Sequence, residues 1–155
     1  PHAGAVRALA CCPHHRNLFL SASADGEIRL YSQLRSRPLV VWNAVPPSVA
    51  ITGVDWSPSR ASVFAAATTE GAVLVFDITQ STTGPVETLH ATGRRAVPLS
   101  SLAFNPRNGV FVAVADESGA THVWRLPREL AAASKKAAEA LEALAEVDDD
   151  AGADE

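Results

Sequence analysis

The stretch VDWSPSRASVFAAATTEGAVLVFD, residues 54–77, contains three strand-like segments in a fixed order. Val54-Asp55-Trp56 alternates apolar and polar, the pattern of a strand with one buried face, and Pro58 ends its pairing because proline has no N–H to donate. Val63–Ala67 is small and continuously apolar, as a strand covered on both faces should be. Thr69-Glu70-Gly71 reads as a tight turn, with glycine supplying the positive φ that a hairpin needs. Val73–Phe76 is the third strand, closed by an aromatic.

The same ruler recurs on both sides. Pro13, Pro58 and Pro106 lie 45 and 48 residues apart. Thirteen residues after each stands Gly26, Gly71 or Gly119, and eighteen after each stands Tyr31, Phe76 or Trp124. Two residues before each stands Cys11, Trp56 or Phe104, and four before stands Leu9, Val54 or Leu102. Five columns kept through three copies mark a structural repeat. More polar fourth strands are predicted at Pro38–Trp42 and Val86–Leu89, while Trp124 runs directly into Leu126-Pro127 and a helical pattern. Four-strand units of this length are propeller blades, and propellers have about four to eight of them. The reading is therefore an all-β chain: the C-terminal three blades of a propeller over residues 1–126, a short helical tail over 127–147, and an acidic, disordered end over 148–155. The first residue is Pro1 and Met is absent, so further blades are expected upstream of Pro1 or from a partner, with the last blade borrowing its outer strand from the N-terminal part of the protein.

Composition agrees with a folded body and a distinct tail. Of the 155 residues, 47% are hydrophobic and 19% charged. Residues 1–126 have a net charge of +2 and residues 127–155 of −6, against −4 overall. Neither part has the basic excess of a dedicated nucleic-acid binder. No apolar run approaches the ~20 residues that span a bilayer, so membrane insertion is not expected. Two adjacent cysteines, Cys11 and Cys12, cannot build a disulfide framework and fit a reducing, intracellular compartment.

A repeat of this length that ends in an aromatic resembles the WD repeat. Within that family, Val54–Asp77, FNPRNGVFVAVADESGATHVWRL (104–126) and HAGAVRALACCPHHRNLFLSASADGEIRLYS (2–32) resemble dynein intermediate chains, the last most of all that of the cytoplasmic dynein of intraflagellar transport. The resemblance covers residues 2–126. It implies a noncatalytic scaffold in the cytoplasm and cilium, axoneme-associated. The implied partners are a dynein heavy chain, a second intermediate chain and light chains. It also implies a buried His-Ser-Asp-Trp network in the first blade, filled here by His2, Ser21, Ser23, Asp25 and Tyr31. Glu70 and Ser118 replace the Asp in the next two blades, and the terminal pairs are Tyr31-Ser32, Phe76-Asp77 and Trp124-Arg125. The other reading is a different intracellular WD-repeat adaptor, for example in ubiquitin ligation or trafficking.

No cofactor, metal or catalytic site is expected. Cys11-Cys12-Pro13-His14-His15 has ligand chemistry, but the register points Cys11 into the blade core and Cys12 away from it. His2, Ser21 and Asp25 are expected to be a buried network rather than a triad. Partner binding is assigned to the rim of loops after the first and third strands, with Arg16, Arg35, Arg37, Arg60 and Arg107 suited to an acidic helix. The opposite rim holds Asp25, Glu70, Asp116 and Glu117, with His90, Arg94 and Arg95 arriving from a long connection. In the tail, Leu130, Ser134, Ala137, Leu141 and Leu144 form a heptad stripe on one predicted helix from Arg128 to about Val147, and Leu130, Leu141 and Leu144 are a second candidate surface for a partner or for the propeller itself.

Overall fold

The computed structural model describes residues 1–90 and 96–146. Arg94, Arg95 and the acidic end at 148–155 lie outside the described residues. Three antiparallel sheets follow one another. The first contains β1 (Val6–Cys11), β2 (Leu18–Ser23), β3 (Glu27–Ser32) and β4 (Val40–Asn43) in sequential order. The second repeats this with β5 (Ile51–Trp56), β6 (Val63–Thr68), β7 (Ala72–Asp77) and β8 (Glu87–His90). The third has three strands, β9 (Leu99–Phe104), β10 (Phe111–Asp116) and β11 (Thr121–Arg125). These are propeller blades, each beginning with the strand that the aligned prolines terminate. The turn glycines have the positive φ expected of them: 83° at Gly26, 76° at Gly71 and 90° at Gly119.

The blades stack face to face, with β1, β5 and β9 adjacent. Alternation decides which neighbour each side chain meets. In the middle blade, Trp56, Phe64, Ala66, Leu74 and Phe76 face the first blade, and Val63, Ala65, Ala67, Val73 and Val75 face the third. Every residue of β6 and β7 is consequently buried. The core between the first two blades is aromatic. Phe64 stacks on Phe76 at 4.7 Å and meets Trp42 edge-on at 5.0 Å, with Trp56 tilted against it at 5.8 Å.

Cys11 corrects the sequence reading. It occupies the column of Trp56 and Phe104 but is exposed, and its neighbour Cys12 is buried. Trp56 faces the blade before it, whereas the corresponding face of the first blade has no covering blade among the described residues, so Leu9 also stands 65% exposed. Burial pushes the Cys12 thiol pKa up, which keeps it protonated and unreactive.

The three first strands share an irregularity. Pairing shifts between Val6 and Ala8, between Ile51 and Gly53, and at Leu99, where β9 meets the end of β10. Such a bulge re-aims a side chain. Arg7, Thr52 and Ser100, the residues at the shift, all line one cavity of about 380 Å³ at that end of the central strands.

Candidate functional site: a rim of loops crossed by the C-terminal helices

At the other end of the central strands, Pro13, Pro58 and Pro106 converge with Cys11, Asp55, Trp56 and Phe104 around a smaller cavity of about 190 Å³. Polar ties lock the blades together here. Asp55 accepts the Phe104 amide at 2.7 Å, and His14 donates through Nε2 to the Ser57 carbonyl at 2.8 Å. His14 is thus occupied in holding one blade to the next.

Arg60 departs from its predicted role. Its Nε and Nη2 donate to Asp77 Oδ2 at 3.1 and 3.0 Å, and the Asp77 side chain is fully buried. Asp77 also accepts from Ser62 at 2.7 Å, from the Thr79 amide and hydroxyl at 2.9 and 2.6 Å, and from Gln80 at 3.1 Å. Burial alone would raise the Asp77 pKa; the bonds from Thr79 and Ser62 outweigh it and hold the carboxyl below its ordinary range. Arg60 is therefore an internal counter-ion, not a side chain offered to a partner.

The tail also differs from its prediction. It forms two helices, α1 (Arg128–Ala131) and α2 (Lys135–Glu146), with Ala132 extended between them. The break has a tertiary cause. Ser59 donates to the Ala131 carbonyl at 2.7 Å and Arg60 Nη1 to the Ala132 carbonyl at 3.3 Å, so the middle blade's loop takes carbonyls that a continuing helix would use. Ser134 then restarts the chain, its Oγ accepting the Ala137 amide at 3.4 Å. Leu130 packs in the core between the second and third blades, and Leu141 in the core between the first and second. The tail thus straps the rim from the third blade towards the first. Leu130 and Leu141 are 6% and 2% exposed and spent on this packing, while Leu144 is half-buried against the same core.

Arg16, Arg37 and Arg107 remain exposed on this rim, and Arg35 is partly buried and engaged. Sequence reasoning missed Arg125 and Arg128, which flank a cavity of about 450 Å³ floored by Val110, Leu126 and Ala131. The signal was available: Arg125 stands one residue past the closing aromatic, where Asp77 stands in the middle blade.

On the opposite rim His2 links two partners, with Nδ1 3.1 Å from Asp25 and Nε2 2.7 Å from Ser21. Ser23 Oγ accepts the Asp25 amide at 3.2 Å. Tyr31 stands outside this chain of bonds and stacks on Phe19 at 5.4 Å, which corrects its assignment to the network. The order Asp25–His2–Ser21 is that of a catalytic triad, but Ser21 is 4% exposed within β2. A nucleophile needs access and oxyanion donors, so this geometry serves packing. Burial would raise the Asp25 pKa, yet amides of Glu27 and Gly4, with Ser23 and His2, bring it from 3.8 to about 2. The third blade has an unpredicted counterpart: His122 Nε2 lies 2.9 Å from Asp116, whose carboxyl also accepts from Ser118 and Ala120 and sits well below the usual range because of these bonds.

Both carboxylates are more acidic folded than unfolded, so the unfolded chain takes up protons first on acidification. The stability that Asp25 contributes is complete above about pH 4 and lost as the pH falls towards 2, while that of Asp116, whose carboxyl is held lower, goes only at more acid pH. Urea unfolding across this window should show a decline that is shallower in Asp25→Asn. An unchanged pH slope in that variant would contradict the assignment.

Residues 1–32 match the WD domain, G-beta repeat family. The chain is 38% identical over 94% of its length to human cytoplasmic dynein 2 intermediate chain 2. The first blade is a WD repeat, and the chain is similar to dynein intermediate chains. Human cytoplasmic dynein 2 intermediate chain 1 is 31% identical over 82% of this chain, and human E3 ubiquitin-protein ligase RFWD3 is 33% identical over 68%. The chain spans 26%, 12% and 13% of the length of these three relatives. The likeness therefore concerns the blades and their tail, and the WD-repeat identity agrees with the three sheets described above.

Proposed function

We propose that this chain supplies three propeller blades of a dynein intermediate chain, a noncatalytic scaffold that holds a dynein heavy chain in the motor of retrograde intraflagellar transport. The observation that carries this reading is the 38% identity to an intermediate chain of cytoplasmic dynein 2 across nearly the whole chain, tail included. The chemistry of the rim suits such a role. Arg16, Arg37 and Arg107 project from loops of the first and third blades, and arginine pairs bidentately with carboxylates of an acidic helix. A second intermediate chain and light chains complete the proposed assembly, in the cytoplasm and along the axoneme of the cilium. Among the described residues β11 is an edge strand, which suits a fourth strand supplied from elsewhere in the protein to close the last blade.

The second reading, a scaffold for ubiquitin ligation, draws on the likeness to RFWD3. Affinity purification of the tagged full-length protein from ciliated cells, followed by mass spectrometry, separates the two. Dynein heavy chain and a second intermediate chain should dominate the recovered proteins. Recovery of ubiquitin-ligase subunits without dynein chains would overturn the proposal in favour of the second reading.

A further inference from the structure

The third blade reverses a charge that the middle blade neutralises internally. In the middle blade Asp77 follows the closing aromatic and is paired by Arg60, two residues after the aligned Pro58. In the third blade the same two positions hold Arg125 and Asn108. A cation has replaced the anion, and a neutral amide stands where its counter-ion would be. Asn108 is committed to its own loop, donating its backbone amide to Asn105 Oδ1 at 3.2 Å and accepting the Val110 amide at 3.3 Å. Arg125 and Arg128 are both exposed, and neither has a carboxylate partner among the described residues.

The local fold places these two cations beside apolar walls. The Leu126 amide extends the β10–β11 pairing to the Val110 carbonyl at 2.8 Å, which buries Leu126. Pro127 then leads into α1, whose Ala131, with Ala132 after it, lines the same cavity of about 450 Å³. Ser59 and Arg60 hold the Ala131 and Ala132 carbonyls, so this wall is fixed before any ligand arrives. The volume is that of a small-ligand site, and no carboxylate lines it.

We propose that this cavity docks a short acidic segment of a partner protein, with one apolar side chain entering between Val110, Leu126 and Ala131 while neighbouring carboxylates pair with Arg125 and Arg128. Guanidinium forks match carboxylates bidentately, and the apolar walls call for an aliphatic or aromatic anchor between them. A free inorganic anion or a nucleic-acid phosphate supplies the charge but leaves those walls without an aliphatic partner. The site is separate from the first-blade arginines: α1 lies at the third-blade end of the strap, where Leu130 packs, and Leu141 of α2 packs at the first-blade end. It therefore does not depend on whether Arg16, Arg37 and Arg107 engage a heavy chain.

The test measures fluorescence anisotropy of a labelled Glu-Glu-Leu-Glu-Glu peptide with the full-length protein at physiological salt. The peptide with Ser in place of Leu has the same charge and should bind at least about tenfold more weakly. Arg125→Ser with Arg128→Ser should weaken the Leu peptide about tenfold, while Arg16→Ser with Arg37→Ser should leave it unchanged. Both arginines of the site are exposed, so the unfolding midpoint should stay near wild type. Charge reversal, Arg125→Glu with Arg128→Glu, should exchange the preference for Lys-Lys-Leu-Lys-Lys. Equal binding of the Leu and Ser peptides would overturn the proposal, since charge alone would then account for it. Undiminished affinity in the Arg125→Ser, Arg128→Ser protein, or a loss that follows Arg16 and Arg37 instead, would overturn it equally.

Discussion

Phe64→Ala should destabilise the protein by about 3–5 kcal/mol, the cost of removing a fully enclosed aromatic side chain. Phe64 is 0% exposed and touches three other rings, of which Trp42 belongs to the preceding blade. The loss thus combines transfer energy, an unfilled cavity and aromatic contacts across a blade boundary. Trp42 would lose its edge-on partner, and its indole N–H has no hydrogen-bond acceptor among the described residues to hold the ring in place. Urea unfolding of the full-length protein measures the effect. Phe64→Leu, which keeps most of the volume, should cost well under half as much. A cost below about 1 kcal/mol for Phe64→Ala would show that the ring is not wedged between blades as described.

Asp77→Ala should cost about as much, ~3–5 kcal/mol, by a different route. The substitution leaves the Arg60 guanidinium, 14% exposed, without its anion, and strands the buried Ser62 hydroxyl. It should also loosen the strap, because Arg60 donates to the carbonyl of Ala132 from the position in which Asp77 holds it. Replacing both residues, as Asp77→Ala with Arg60→Met, removes the orphaned charge and should recover part of the loss. If the double variant is no more stable than Asp77→Ala alone, the ion pair is not the source of the effect. Proteolysis reports the strap separately: cleavage between α1 and α2, at residues 132–134, should accelerate in Asp77→Ala and not in Phe64→Leu.

Where the sequence was legible, a local rule sufficed. The turn glycines, the closing aromatics and the strand-ending prolines each answer to backbone geometry within a few residues, and all three copies follow it. Cys11 misled because its column is buried only when another blade covers that face, and no local pattern encodes the cover. Arg60 read as a loop cation because its counter-ion, Asp77, is 17 residues away and belongs to the far end of the hairpin. The helix break at Ala132 has its cause 72 residues upstream, in Ser59 and Arg60, so a heptad stripe alone could not show it. The Asp116–His122 pair escaped notice because the third blade builds it from positions other than those of the first.

The strap narrows the surface on which a partner can act. Arg60, Leu130 and Leu141 hold it to the blades, leaving Arg16, Arg37 and Arg107 as exposed cations of this rim. Changing them should spare the fold, since none supplies a core contact.

The most direct measurement of the scaffold proposal is recovery of dynein heavy chain with the full-length protein carrying Arg16→Glu, Arg37→Glu and Arg107→Glu, at physiological salt. The expected result is an unfolding midpoint close to wild type and heavy-chain recovery reduced at least about tenfold, because charge-assisted contacts become repulsive. Undiminished recovery with a folded variant would contradict the proposal and move the heavy chain's seat off this rim.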